Sequence, residues 1–402
     1  MLIALAAYAG GLGALATIGR KPRLTGIFYG LAIAACVLGA GIAPTLPLLA
    51  IAPLAWWLSP NRRMAAQTLL LGLFIATMLA LPWPLALWAQ QPLRLEAWLL
   101  TELAPLKTPF SAGGLGQFLA MLPWFAFPAL PLAAWTLWSR RSLWRAPAQL
   151  LPLAFLLLTL LLLAWAYRPR EIPALLLLPS IALLATPGAL SLRRGAANAF
   201  DWFAMSVFSF LALLVWTSWM AMILGFPARL AQRVVELRPG FTASLDLLGL
   251  CIGIGATVWW IWLMLSAPRS PYRSLTHWTL GFTTWWLMAT ALILPWFDYG
   301  KSYRPVAEAV AGKLPANKNC LAERRLNPAQ RASFSYFVDL NPVDFASPAA
   351  NACDWLLVVG SSTCQLAAPD AGWSLVWQGN RPGERREKFR LYRRQAALSS
   401  PT

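Results

Sequence analysis

Ten apolar runs follow one another from residue 2 to residue 297, at roughly 2–18, 26–41, 43–58, 64–86, 114–138, 147–166, 171–189, 200–225, 243–265 and 275–297. A run of about 20 apolar residues crosses the hydrocarbon core as a helix, in which every backbone N–H and C=O is satisfied internally. The runs are continuous rather than alternating, which argues against a closed β-barrel. The pattern therefore predicts an all-α polytopic membrane domain of about ten transmembrane helices. The second and third runs are short and carry Pro44, Pro47 and Pro53, so they read as a tight hairpin or one broken re-entrant unit.

The formal net charge is +18. In a soluble chain that would raise nucleic acid as a partner, but no aromatic-basic module is present, and basic residues are the normal flanks of membrane helices. The partners this composition implies are membrane lipids, with no nucleic acid. Basic clusters fall in alternate connections, at 20–23, 61–63, 139–145, 192–195 and 267–273, which the positive-inside rule places in the cytoplasm. The opposite face then holds the connection 87–113, the "YRPRE" turn, the segment 226–242 and the C-terminal tail. Outside the tail the carboxylates are Glu96, Glu102, Glu171, Asp201, Glu236 and Asp246, and all but Asp201 lie on that external face. Acid–base or phosphate chemistry is expected there. The first helix enters from outside with no flanking charge, as an internal helix of a longer protein would, and nothing in its opening reads as a signal peptide.

Composition changes near Asp298, so the domains are expected to be 1–297, a transmembrane helical domain, and 298–402, a small external α/β domain. Val306, Val310 and Leu314 recur at helical spacing, and "NPAQRASFSYFVDL" places Pro328 near a helix start. "KNCLAER", "DWLLVVG", "WSLVWQG" and "EKFRLYRR" read as strands. Cys320 and Cys353 each precede a strand, so they form either a disulfide or two free thiols. Cys36 and Cys251 read as packing residues inside apolar runs. The single histidine, His277, sits near a helix end and reads as an interfacial residue. With one histidine and no C-x-x-C pair, no metal-ligand cluster is visible and no cofactor is assigned.

Three external segments carry candidate chemistry. In 87–113, Leu95, Trp98, Leu99 and Glu102 share one helix face, which predicts an interfacial helix. That segment is either a linker or a loop that closes over a membrane-embedded substrate, with Glu102 and Lys107 in contact. In 226–242, Leu230, Val234 and Leu237 oppose Arg229 and Arg233, which describes a short helix on the membrane surface. In "AYRPREIPALLLLP", Arg168, Arg170 and Glu171 are stiffened by Pro169 and Pro173. Topology asks for no arginines on the external side. The planar guanidinium fork bonds two phosphate oxygens at once, so this turn is either a lipid-phosphate grip or an ordinary headgroup anchor. Glu171 would orient a guanidinium or meet a sugar hydroxyl.

Taken together, "YRPREIPALLLLPSIALLATPG", "FLAMLPWFAFPALPLAAWTLW" and "GLAIAACVLGAGIAP" resemble, in order, helices of bacterial GT-C membrane glycosyltransferases of the aminoarabinose-transferase and protein-O-mannosyltransferase superfamily. "KSYRPVAEAV", "LNPAQRASFSYF" and "CDWLLVVG" resemble the extracytoplasmic C-terminal domain of one bacterial branch. The resemblance implies a GT-C-like fold in the bacterial inner membrane, with the C-terminal domain in the periplasm. It implies transfer of a sugar from a polyprenyl-phosphate carrier for envelope glycolipid or glycan modification, lipid A among them. Transfer would be metal-independent or metal-assisted according to branch. By matching position, Arg168 and Arg170 would contact the carrier phosphate, and Glu102 and Lys107 would belong to the covering loop. The family's catalytic Asp lies in an N-terminal external loop that has no counterpart here, so no catalytic residue is assigned. Ala40 stands where the family often has a basic residue. The readings left open are a transferase, a shortened or mis-started form of one, and a non-catalytic carrier-binding partner of the same fold. A transporter or flippase is less favoured, because the spans carry almost no buried charge and no repeat.

Overall fold

The computed structural model describes residues 1–107, 112–167, 170–266, 270, 272–315, 320–361, 372–384 and 386–395. Two compact units divide the chain, Met1–Ala197 and Asn198–Thr402.

The first unit is helical. It runs through α1 (Leu2–Leu15), α2 (Pro22–Ala40), α3 (Ile42–Leu58), α4 (Arg62–Ala80), α5 (Pro82–Gln90), α6 (Pro92–Leu103), α7 (Ala112–Phe125), α8 (Ala129–Ser139), α9 (Pro147–Ala166), α10 (Glu171–Ala174) and α11 (Leu178–Leu190). Its tightest seam joins α2 to α4. Gly26 and Gly30, four residues apart on α2, let the backbones approach: a methyl on Gly26 would stand 2.8 Å from the Thr68 carbonyl oxygen, and one on Gly30 would stand 2.5 Å from that of Gly72. Small residues at such spacing are what allows helix association in lipid, where apolar burial alone gives no preference. The core between α1, α3 and α9 is keyed by Tyr8, whose hydroxyl donates to the Pro44 carbonyl at 2.6 Å and whose ring meets Phe155 edge-on at 4.8 Å. Tyr29 likewise donates to the carbonyl of Leu48.

Seven helical stretches among the described residues are long and apolar enough to cross a membrane. The pair α7–α8 makes an eighth if counted as one span, and α1 and α3 are shorter apolar helices. The chain is a multi-pass membrane protein, and each of the ten apolar runs is helical. The run 114–138 is not straight: it bends by 101° between α7 and α8. Pro128, at the N-cap of α8, supplies no N–H to carry the first helix onward.

The second unit begins with α12 (Arg194–Ile223), whose first turn closes the preceding unit, and continues with α13 (Ala228–Leu237), α14 (Leu247–Ser266) and α15 (Arg273–Lys301). The amphipathic segment forms α13 as expected. Leu230 and Val234 are half-buried, whereas Leu237 is 54% exposed. Trp296 on α15 donates its indole N–H to the Val234 carbonyl at 3.4 Å, docking α13 against that helix.

The tail forms α16 (Arg304–Ala311), β1 (Leu321–Arg324), α17 (Pro328–Val338), β2 (Val343–Asp344), β3 (Trp355–Ser361), β4 (Trp373–Gly379) and β5 (Glu387–Arg394). The sheet order is β2-β1-β3-β5-β4, with β1 parallel to both neighbours and β5 antiparallel to β3 and β4. A capping box between Asn327 and Gln330 starts α17. Val306 and Val310 from α16 and Phe334 from α17 pack with Leu357, Phe389 and Leu391 of the sheet. The architecture is a polytopic helical membrane domain with a small C-terminal α/β domain.

A disulfide joins Cys320 and Cys353, at a sequence separation of 33. Closing a loop of that length removes chain entropy from the unfolded state worth roughly 3–4 kcal/mol. Replacing both cysteines by serine is expected to lower the unfolding midpoint of this domain, and reductant is expected to do the same to the native chain and nothing further to the variant. Thermal unfolding with and without reductant checks both.

Candidate functional site

The connection 87–113 becomes α5, α6 and a 3-10 turn over Ala104–Lys107. Helix α6 lies against α3, and the 3-10 turn lies against α9. At the end of α6 the Glu102 side chain turns onto the link between α2 and α3. Its Oε2 accepts the backbone N–H of Ile42 at 2.9 Å. Ile42 is the first residue of α3, so the carboxylate caps that helix from another segment and meets the positive end of its dipole. The carboxylate fits because residue 41 is glycine: φ there is +96°, and a methyl would overlap Glu102. Beside this contact lies a cavity of about 290 Å³, lined by Gly39, Ala40, Gly41, Trp83, Trp98 and Glu102.

Tyr167, the C-cap residue that follows α9, shares this environment. Burial pushes its phenol up to about 12, and the nearby charge of Glu102 and the Cys36 thiol add to the rise. The hydroxyl therefore stays protonated at physiological pH and can act as a donor. Three residues on, Arg170 occupies the N-cap position of α10, and Glu171 begins that helix; both side chains are exposed. Lys107 is exposed at the end of the 3-10 turn. Arg168 lies outside the described residues. Glu102, the turn bearing Lys107, and the entry to the "YRPRE" turn thus converge on one end of α3 and α9. No direct bond joins Glu102 to Arg170 among the described residues. Ile42, Gly41 and Tyr167 are partners that sequence reasoning did not single out.

The cavity itself offers a tryptophan-bearing wall and a carboxylate already holding one N–H. The Tyr167 phenol lies close enough to feel the Glu102 charge, and Arg170 follows it on an exposed turn. Alanine at Gly41 would force an L residue into left-handed backbone and push Glu102 off Ile42. The expected cost is about 1–3 kcal/mol, read as a lower unfolding temperature, while Glu102→Gln, which keeps an acceptor oxygen for Ile42, is expected to cost less.

A second polar cluster lies in the other unit. Asp201 on α12 and His277 on α15 are 2.5 Å apart (Oδ1 to Nδ1), and Arg273 Nε stands 3.3 Å from Asp201 Oδ2. His277 was expected at an interface. It is instead completely buried, with Trp260 beside it, and its Nε2 has no hydrogen-bond partner among the described residues. The reason is Asp201, which satisfies Nδ1 inside the helix packing and so permits burial. Among the described residues, no three His, Cys, Asp or Glu side chains group as metal ligands.

No protein-family model matches the chain, and no curated protein matches it either. The fold is nevertheless shared with solved structures. The chain is similar in structure to ArnT from Cupriavidus metallidurans. With ArnT bound to undecaprenyl phosphate the TM-score is 0.56 at 15% identity, over 99% of this chain and 75% of that one. With the apo state of the same protein it is 0.55 at 14%, over 98% and 75%.

Proposed function

We propose that this protein binds a polyprenyl-phosphate-linked sugar in the cleft between the α2–α3 link, α6 and the "YRPRE" turn. On this reading it works as a GT-C glycosyltransferase on envelope glycolipids at the periplasmic face of the bacterial inner membrane. The observation that carries the reading is the likeness, over nearly the whole chain, to a structure holding undecaprenyl phosphate. The cleft chemistry supports it. Arg170, with Arg168, would bind the carrier phosphate through paired charge-assisted bonds, and pre-placed cations of this kind favour departure of a phosphate leaving group. Glu102 would fasten the covering segment, Lys107 would add a cation from it, and Glu171 would orient an arginine or meet a sugar hydroxyl. The Cys320–Cys353 disulfide agrees with an oxidising compartment for the C-terminal domain.

A second reading, carrier binding without transfer, is favoured by one detail. Glu102 is the one carboxylate among the residues that line the cavity, and it is engaged in capping α3. The test is transfer of radiolabelled sugar from a polyprenyl-phosphate donor to a lipid acceptor by the reconstituted chain. Transfer that is lost in Arg170→Ala supports the enzyme. Carrier binding without turnover supports the second reading. Full transfer in an Arg168→Ala/Arg170→Ala double variant would overturn the site.

A further inference from the structure

We infer that the C-terminal α/β domain carries an anionic-phospholipid contact on its membrane-proximal rim, made by Arg324, Arg325, Arg386 and Lys301. The strand register decides which edge of the sheet this rim is. Ser361, the last residue of β3, pairs with Glu387, the first of β5. The β4–β5 turn therefore leaves the sheet at the carboxyl end of β3. That turn is tied to the end of α15: Arg381 Nη1 donates to the Lys301 carbonyl at 3.0 Å. Arg238, which follows α13, donates to the Pro382 carbonyl at 3.4 Å and lies over the Trp296 ring, 5.2 Å from its centroid. The carboxyl ends of the parallel strands consequently face the end of a spanning helix.

The bilayer interface is marked on that same helix. Trp296, Phe297 and Tyr299 cluster at the end of α15, as aromatic residues do at headgroup level. Phe297 is 51% exposed. Lys301 follows Tyr299 by two residues, roughly 3 Å along the axis. Because β1 is parallel to β3, it ends on this rim too, and it releases Arg324 and Arg325 there, both exposed.

Charge pairing then separates structural arginines from available ones. Arg304 is paired with Glu308, Arg331 with Glu323, and Arg381 with Glu387. Those pairs consume three of the rim's acids. Of the others, Asp344 lies at the limit of Arg331, Glu384 accepts the Arg386 backbone N–H, and Asp298 is exposed. Lys301, Arg324, Arg325 and Arg386 are exposed and have no acidic side-chain partner among the described residues; Arg324 lies over the Phe345 ring. An array of unpaired cations beside an aromatic interface layer is complementary to phosphatidylglycerol or cardiolipin headgroups, each cation strengthening the contact about fivefold. The contact would hold the domain's switch-point edge, where strand order reverses around β1, against the membrane surface.

The test uses the full chain in nanodiscs of phosphatidylcholine alone or with phosphatidylglycerol, read by hydrogen exchange. Residues 321–327 are expected to exchange about tenfold more slowly in the anionic discs. The protection is expected to disappear in Arg324→Gln/Arg325→Gln and to weaken at high salt, where headgroup attraction is screened. The double variant's melting temperature in neutral discs serves as the folding control. Equal exchange in both disc types would overturn the inference. So would protection by polyprenyl phosphate in neutral discs with none from phosphatidylglycerol, and neither outcome bears on whether the carrier binds the α2–α3 cleft.

Discussion

Alanine at both Arg168 and Arg170 is expected to weaken polyprenyl-phosphate binding by about two to four orders of magnitude. A hydrogen bond to a charged group is worth about 1.5–3 kcal/mol, so losing two costs roughly 3–6 kcal/mol, at 1.4 kcal/mol per tenfold. Arg170 is exposed, so its own replacement leaves the fold intact and the loss is one of affinity. Lysine at position 170 separates two explanations. If the fork geometry matters, Arg170→Lys recovers only part of the affinity; if simple charge matters, it recovers nearly all. Titration of the phosphorylated carrier into the reconstituted chain measures each case. Unchanged affinity in the double variant would remove the "YRPRE" turn from the site.

Asp201→Ala is expected to destabilise the helix pair α12–α15 by about 3–5 kcal/mol, the usual cost of leaving a buried ionic partner uncompensated. The carboxylate is nearly buried, and its removal leaves His277 wholly enclosed with neither ring nitrogen bonded to any described residue. It also leaves Arg273, 28% exposed on its side chain, without its counter-charge. Asp201→Asn is expected to fall between, because an amide oxygen still accepts from Nδ1 but carries no charge for Arg273. Thermal inactivation in detergent reads the series. A loss below about 1 kcal/mol for the alanine variant would mean that the cluster contributes nothing to the packing.

These two sites differ in how far the sequence disclosed them. The arginines of "YRPRE" stand out in the sequence as candidates because topology gives external arginines no routine purpose and the residues form one motif; the carrier titration is what decides their role. The Asp201–His277 pair does not stand out, since the partners are 76 positions apart and a lone histidine carries no pairing signal. Glu102 shows both sides. Its helical face pointed to an interfacial helix, but its partner Ile42 is 60 residues away, and nothing in "GAGIAP" announced that a carboxylate would seat over Gly41.

The spanning helices were readable for a physical reason. A lipid environment permits no long irregular segment, so an apolar run of the right length has one outcome. Their shape was less so. The 101° bend between α7 and α8 lies inside one hydrophobic run, and hydropathy is blind to direction. In the C-terminal domain, alternation and helical spacing located α16, α17 and four strands. The two-residue β2 escaped, because Val343–Asp344 has no periodicity to detect. Pairing order, the disulfide and the rim of unpaired arginines all depend on contacts between distant segments.

The central claim is that the cleft recognises a phosphate on a long isoprenoid. It is tested most directly by comparing undecaprenyl phosphate with undecaprenol for binding to the full chain in neutral nanodiscs. Saturable binding of the phosphate, at least tenfold tighter than the alcohol and reduced by Gly41→Ala as well as by Arg170→Ala, is the expected result. Equal retention of the two lipids, or phosphate binding indifferent to both substitutions, would contradict it.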